Sequence, residues 1–283
     1  MKFYRYWTTA TRRGIDPDGD EVFRSAAGYS NHSLEDALKI AKQQADALGD
    51  FWSDPNRIWR EGGGYYGQGN RPIREQIIDE LNEGDDRYAV ISRNAYGCLV
   101  LNTESVFFAD VDISSPSLTE RLFGLFTKKK PTFEANLVEK ISKIIERDSR
   151  ICIRLYRTLR GYRIAIMDRL IDPEDAQSDS LLKELGSDKL YVSLCRSQDC
   201  YRARLTPKPW RCGSTKPPTR FPFTYPGTEE RFQKWLIEYE KTSQQFATCA
   251  LVGEFGSTTK HPRAQSVLDL HDRFVLNDQR PLA

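Results

Sequence analysis

Long apolar runs, histidines and tightly spaced cysteines are what this sequence is short of. No stretch approaches the roughly 20 apolar residues needed to span a bilayer, so no membrane partner is expected. The start, Met1-Lys2-Phe3-Tyr4-Arg5-Tyr6-Trp7, lacks the apolar core of a secretory signal. A cytoplasmic location is the expectation. The three histidines, His32, His261 and His271, are too scattered to define a catalytic group, and His271-Asp272 reads as a helix-surface pair rather than a metal dyad. There is no Gly-x-Ser-x-Gly or Cys-His signature for nucleophilic catalysis. The glycines of Gly62-Gly63-Gly64-Tyr65-Tyr66-Gly67-Gln68-Gly69 match neither a dinucleotide fingerprint nor a P-loop. They make either a flexible connection or a loop whose amides approach a phosphate. Six cysteines contain no Cys-x-x-Cys pair, so buried reduced thiols are the default reading, and a zinc set of Cys195, Cys200 and Cys212 with Cys249 or His261 is the alternative. Charge of one sign is lacking as well. The totals, 42 Lys and Arg against 40 Asp and Glu in 283 residues, leave +2, so only the distribution of charge is informative.

What is present begins with strands. Residues 2–11 are aromatic and β-branched, Asp16-Pro17-Asp18-Gly19 is a turn signal, and 21–29 returns as a second strand. Ser33 caps a helix with Leu34, Leu38, Ala41, Ala45 and Leu48 on its stripe, ending near Gly49. Pro72 suits the first turn of a helix to about Leu81, with Arg71 and Arg74 at its start. Strands follow at 88–92 and 96–101. Beyond the run Ser105–Ile113 come an apolar segment over 118–126, closed by Lys128-Lys129-Lys130, and a helix over 133–147. A hairpin (150–157 and 161–167), a helix (178–185) and a strand (190–195) complete the series. From Ser105 onward the order is β-α-β-β-α-β, the RRM-like or ferredoxin-like split unit. A helix over 228–245 capped by Thr228, a strand over 247–252 and a terminal helix from about Ala264 end the chain. The expected class is α+β, with an N-terminal hairpin and helices over 1–84, the RRM-like core with a basic arm over 85–225, and a C-terminal helical segment over 226–283.

The chemistry sits at the end of the strand Ser105-Val106-Phe107-Phe108-Ala109-Asp110-Val111-Asp112-Ile113. Alternation puts Phe107, Ala109, Val111 and Ile113 on one face and Val106, Phe108, Asp110 and Asp112 on the other. The first half is apolar on both faces, as in a central strand. The second half sets two carboxylates side by side, which is either a solvated strand end or a pair bridged by a divalent cation. The hairpin Leu155–Ile164 turns at Leu159-Arg160 and aims Arg157, Arg160 and Arg163 toward the same region, where a guanidinium fork suits phosphate oxygens.

Taken with the element order, these residues resemble the archaeo-eukaryotic primase and primase-polymerase superfamily over about residues 86–212. Asp110-Val111-Asp112 stands where that family has an acid-x-acid motif. Thr158-Leu159-Arg160-Gly161-Tyr162-Arg163 occupies its hairpin position, with Arg163 in place of the family's histidine. The resemblance implies metal-dependent nucleotidyl transfer: Asp110 and Asp112 would hold Mg²⁺ or Mn²⁺, and Asp188 would be a third acid. Nucleoside triphosphate and a single nucleic-acid strand would be the ligands. The chain also resembles bacterial proteins of unknown function through Leu-Cys-Arg-x-Gln-x-Cys and Thr-Pro-Lys-Pro-Trp-Arg-Cys.

The other chemical feature is a basic arm. Arg196 to Arg220 holds seven Lys or Arg and one acid, a local charge of +6, which attracts polyanions. Tyr201, Trp210, Phe221, Phe223 and Tyr225 interleave with it, a composition suited to single strands. Arg202 and Arg204 share one strand face as a phosphate-binding pair, with Lys208 and Arg211 behind them. A solvated loop that packs its aromatics inward is the other reading. Three functions compete: nucleotidyl transfer, a metal-dependent nuclease on the same carboxylates, and a non-catalytic nucleic-acid-binding or assembly protein using the same sheet and arm.

Overall fold

The aromatic N-terminus pairs with its return strand. Strands β1 (Tyr6–Ile15) and β2 (Glu21–Ser30) form an antiparallel hairpin, and α1 (Leu34–Gly49) packs on it, with the Ser33 hydroxyl accepting the Asp36 backbone N–H at 3.1 Å. The computed structural model describes residues 1–15, 18–49, 72–113 and 132–283. The buried stripe of α1 is Ala37, Ala41 and Ala45, while Leu34 and Leu38 are exposed. Size decides this: the helix lies so close to β2 that a Cβ added at Gly28 would run into Ala37 and Ala41, and leucines would not fit there. The expected Gly62–Gly69 loop, Arg71, the apolar segment over 118–126 and Lys128–Lys130 lie outside the described residues.

Strands β3 (Gln76–Glu83), β4 (Asp86–Arg93) and β5 (Leu99–Thr103) run antiparallel. The segment expected to be a helix from Pro72 is therefore mostly strand; its ladder to β4, which satisfies the backbone polar groups, outweighs helical propensity. Next come β6 (Phe108–Asp112), α2 (Phe133–Arg147), and the hairpin of β7 (Cys152–Thr158) and β8 (Gly161–Ile166). Helix α3 (Ala176–Leu185) follows as expected, but Leu190–Cys195 is not a strand. It belongs to α4 (Lys189–Gln198), where the Asp188 carboxylate caps the Tyr191 N–H at 2.9 Å and Tyr191 and Cys195 bury one helical stripe. The aromatic and β-branched composition suggested a strand, and cap plus stripe overrode it. Strand β9 (Tyr201–Arg204), a 3₁₀ turn (Pro209–Arg211), α5 (Thr228–Ser243, with Gly227 as its cap), β10 (Cys249–Gly256) and α6 (Pro262–Val275) complete the chain.

Two four-stranded sheets result, ordered β10-β7-β8-β6 and β3-β4-β5-β9. Among the described residues the fold is α+β with antiparallel sheets and six α-helices. Strand pairing crosses both expected boundaries, since β3 joins β4 across 84/85 and β10 joins β7 across 225/226. Register sorts the faces of the first sheet. Asp110 lies opposite Arg163, which lies opposite Tyr156; Val111, Tyr162 and Arg157 form a row on the other face. Helix α2 covers that second face with Leu137, Ile141 and Ile144, and Phe133 stacks on Tyr162. Helix α6 covers the first, where His271 meets Phe108 and Tyr156. One hydrophobic cluster joins both sheets, with Phe107 against Tyr201 between them. Among the described residues no helix is long and apolar enough to cross a membrane.

Candidate functional site

The chain is buried from Phe107 into β6 at Phe108 and Ala109, then surfaces at Asp110 and Asp112. Asp110 accepts a hydrogen bond from Arg163 Nε at 3.1 Å across the β6–β8 pair. The carbonyl of Asp110 accepts the Asp188 backbone N–H at 3.0 Å and the Ser187 hydroxyl at 2.9 Å, so the start of α4 is pinned beside β6. Asp112 lies opposite Gly161, where a Cβ would strike the Val111 carbonyl; only glycine allows this approach at the hairpin end. The Asp112 carboxyl is pushed above the usual carboxylate range, first by partial burial and then by the like charges of Asp110 and Asp188. All three predicted acids therefore meet at one strand end.

Arg163 leads inward from there. Its side chain is 1% exposed, and Nη1 donates to the Arg204 carbonyl at 2.9 Å and to His271 Nε2 at 3.1 Å. A guanidinium only donates, so Nε2 must offer its lone pair and the imidazole proton sits on Nδ1. From Nδ1 the proton points to Asp272 Oδ1 at 2.8 Å, which also accepts the Tyr156 hydroxyl at 2.7 Å, while Oδ2 takes Arg154 at 2.5 Å. Burial is the main cause that lowers His271 to about 4; the Asp272 hydrogen bond opposes this and the Arg163 charge adds to it. Burial would raise Asp272, yet the hydrogen bonds from His271 and Tyr156 outweigh it and hold the carboxyl below its usual range. His271 is a hub of the interior rather than half of a surface pair. Its burial was readable from the spacing of Ala264, Val267, Leu268, His271 and Val275, which forms one helical stripe.

Arg163 thus has its charge answered inside the protein. Arg160, Arg204, Lys208 and Arg211 do not: none makes an ion pair with another described residue. Arg160 sits at the β7–β8 turn, Arg204 ends β9, and Lys208 and Arg211 flank the 3₁₀ turn. Burial and then the charges of Arg204 and Arg211 lower Lys208; burial and then Arg204 and Arg160 lower Arg211, with Asp112 opposing in both cases. Nε of Arg204 is buried without a hydrogen-bond partner. Four cations are thus crowded against one another beside Asp112.

Two predicted phosphate ligands are spent elsewhere. Arg157 pairs with Glu134 at 2.7 Å on the α2-covered face. Arg202 is clamped by Glu75 at 2.6 and 2.8 Å and by Gln198 at 2.7 Å, so it does not act with Arg204.

The hard carboxylate oxygens of Asp110, Asp112 and Asp188 are the donor type that Mg²⁺ and Mn²⁺ take. As placed, Asp110 is engaged by Arg163 and Asp188 by the cap of α4. Among the described residues no group of three or more His, Cys, Asp or Glu stands ready to hold a metal ion. All six cysteines are free and buried. Of the candidate zinc set, the Cys212 thiol donates to the Pro209 carbonyl at 3.3 Å, and His261 Nδ1 accepts the Arg263 N–H as the cap of α6. Burial pushes the Cys200 thiol up to about 12 and Cys249 to about 11. Set beside protein families, curated proteins and solved structures, the chain matches none.

Proposed function

We propose that the protein binds the phosphates of a nucleotide or a nucleic-acid strand at the end of β6, on Arg160, Arg204, Lys208 and Arg211. One observation carries this: four cations, two with lowered proton affinity, share a site without an acidic partner for each among the described residues. Like charges held together in a partly buried place cost stability unless an anion joins them, and phosphate oxygens match guanidinium forks. The reading treats β6-α2-β7-β8-α3 as the opening elements of an RRM-like unit whose sheet face is covered by α6, so that the ligand would meet the strand end instead. The test is fluorescence anisotropy with a labelled 12-nucleotide single strand. Wild type is expected to bind at low salt, and Lys208→Ala/Arg211→Ala to lose at least tenfold; equal binding by both rejects the assignment.

A second reading, nucleotidyl transfer, is favoured by a different observation, the convergence of Asp110, Asp112 and Asp188 with the raised Asp112 carboxyl. Asp110 and Asp112 would hold Mg²⁺ or Mn²⁺ there, and the ion would neutralise a nucleoside triphosphate. Calorimetric titration of Mn²⁺ with nucleoside triphosphate into wild type and Asp110→Ala/Asp112→Ala separates the readings. Metal-dependent binding lost in the variant supports transfer, and its absence from wild type leaves phosphate binding alone.

A further inference from the structure

The basic arm sorts its aromatics into two groups. Tyr201 is buried in the core, and Phe223 packs on Phe232 with Phe221 beside it. Trp210 is different: at 46% exposure it stands on the surface between Pro209 and Arg211 of the 3₁₀ turn. Tyr96 meets its ring at 5.2 Å and 87°, an edge contact that fixes the indole's orientation. The ammonium groups of Lys208 and Lys216 lie over the indole, 5.7 and 5.8 Å from its centroid. An indole held edge-on by a neighbouring ring and reached by two cations offers a flat π face to a planar ring.

We infer that Trp210 is a base-stacking platform, and that the site therefore takes a single nucleic-acid strand with unpaired bases rather than phosphate alone. This rests on the phosphate-binding reading, because Lys208 and Arg211 supply the anion contacts on either side of the indole in the chain. The lysines over the ring occupy, by cation–π attraction, the surface a base would use. A strand's phosphates draw those ammonium groups off the indole, and a base takes the vacated face. Tyr96 holds the ring in place during the exchange. Stacking of this kind accepts any base, since every base offers a π face. The inferred ligand is sequence-tolerant, and duplex DNA, whose bases are already stacked, is a poor one.

The experiment measures anisotropy of a labelled dT 12-mer and of an abasic 12-mer with the same phosphates, against wild type, Trp210→Ala and Trp210→Phe. Wild type should bind the dT strand about tenfold more tightly than the abasic strand, in keeping with the worth of one aromatic–base stack. Trp210→Ala should bring dT down to the abasic affinity while leaving the abasic strand unchanged, and Trp210→Phe, which keeps a ring against Tyr96, should retain part of the preference. Equal affinity of wild type for both strands, or a preference that survives Trp210→Ala, overturns the platform and leaves phosphate binding standing. Failure of wild type to bind either strand overturns both.

Discussion

Arg163 and Arg211 belong to the same corner of the molecule and have opposite fates. Arg163 is buried and fully answered: Asp110, the Arg204 carbonyl and His271 all accept from it, and the chain of partners continues to Asp272, Tyr156 and Arg154. Arg211 is crowded by Arg204 and Arg160, makes no ion pair with another described residue, and has the opposite charge of Asp112 in its favour. One arginine's charge is used to hold β6, β8, β9 and α6 together. The other's is left over, and leftover charge is what an anionic ligand can use.

The comparison breaks most visibly if Arg163 is removed. Arg163→Met leaves Asp110 without its partner and His271 Nε2 without a donor inside the core, so a loss of about 3 kcal/mol or more is expected, read from the urea midpoint. Arg211→Ala should change stability by no more than about 0.5 kcal/mol. Equal effects from the two would erase the distinction.

A pH titration of stability comes next in size. His271 is neutral in the folded protein with its pKa depressed to about 4, whereas in the unfolded chain it titrates near the ordinary histidine value of 6.5. The unfolded state therefore binds more protons in this window, so the contribution is complete above pH 6.5 and is lost as pH falls toward 4. At about 1.4 kcal/mol per unit this histidine accounts for roughly 3 kcal/mol. His271→Asn should flatten the profile over that interval; a profile as steep as wild type would show that other groups carry it.

Binding separates residues of one type more finely. Arg204→Ala, Lys208→Ala and Arg211→Ala should each weaken strand binding and lower the salt slope by about 1. Arg157→Ala and Arg202→Ala, which lose pairs with Glu134 and Glu75, should leave the slope unchanged. The smallest effect belongs to Asp112→Asn, which removes an opposing charge beside Lys208 and Arg211. Metal-free binding should strengthen a few-fold; weakening would show that Asp112 is itself a ligand contact.

The sequence made the acid pair and the arm visible because both are local. Two carboxylates on one strand face follow from alternation, and a +6 stretch is a count. The helix Phe133–Arg147 and the hairpin around Leu159-Arg160 were equally local, carried by a 3.6-residue stripe and a turn. Which cations are spent was not local. Glu75 reaches Arg202 from 127 residues away, and His271 meets Arg163 across 108, distances over which one-dimensional patterns carry no pairing information. The strand expected at Leu190–Cys195 is a helix because its cap and buried stripe, Asp188 with Tyr191 and Cys195, outweigh an aromatic and β-branched composition, and the fourth place in the sheet is filled by β10, from far along the chain, on the other edge beside β7.

The most direct measurement is the salt dependence of single-strand affinity for wild type and for Arg204→Ala/Lys208→Ala/Arg211→Ala. Four phosphate contacts correspond to a slope of about −3 in log K against log salt for a single strand. The account predicts that slope for wild type and about −1 for the variant, with folding intact. Identical slopes, or a wild type that binds no strand even at low salt, would contradict it.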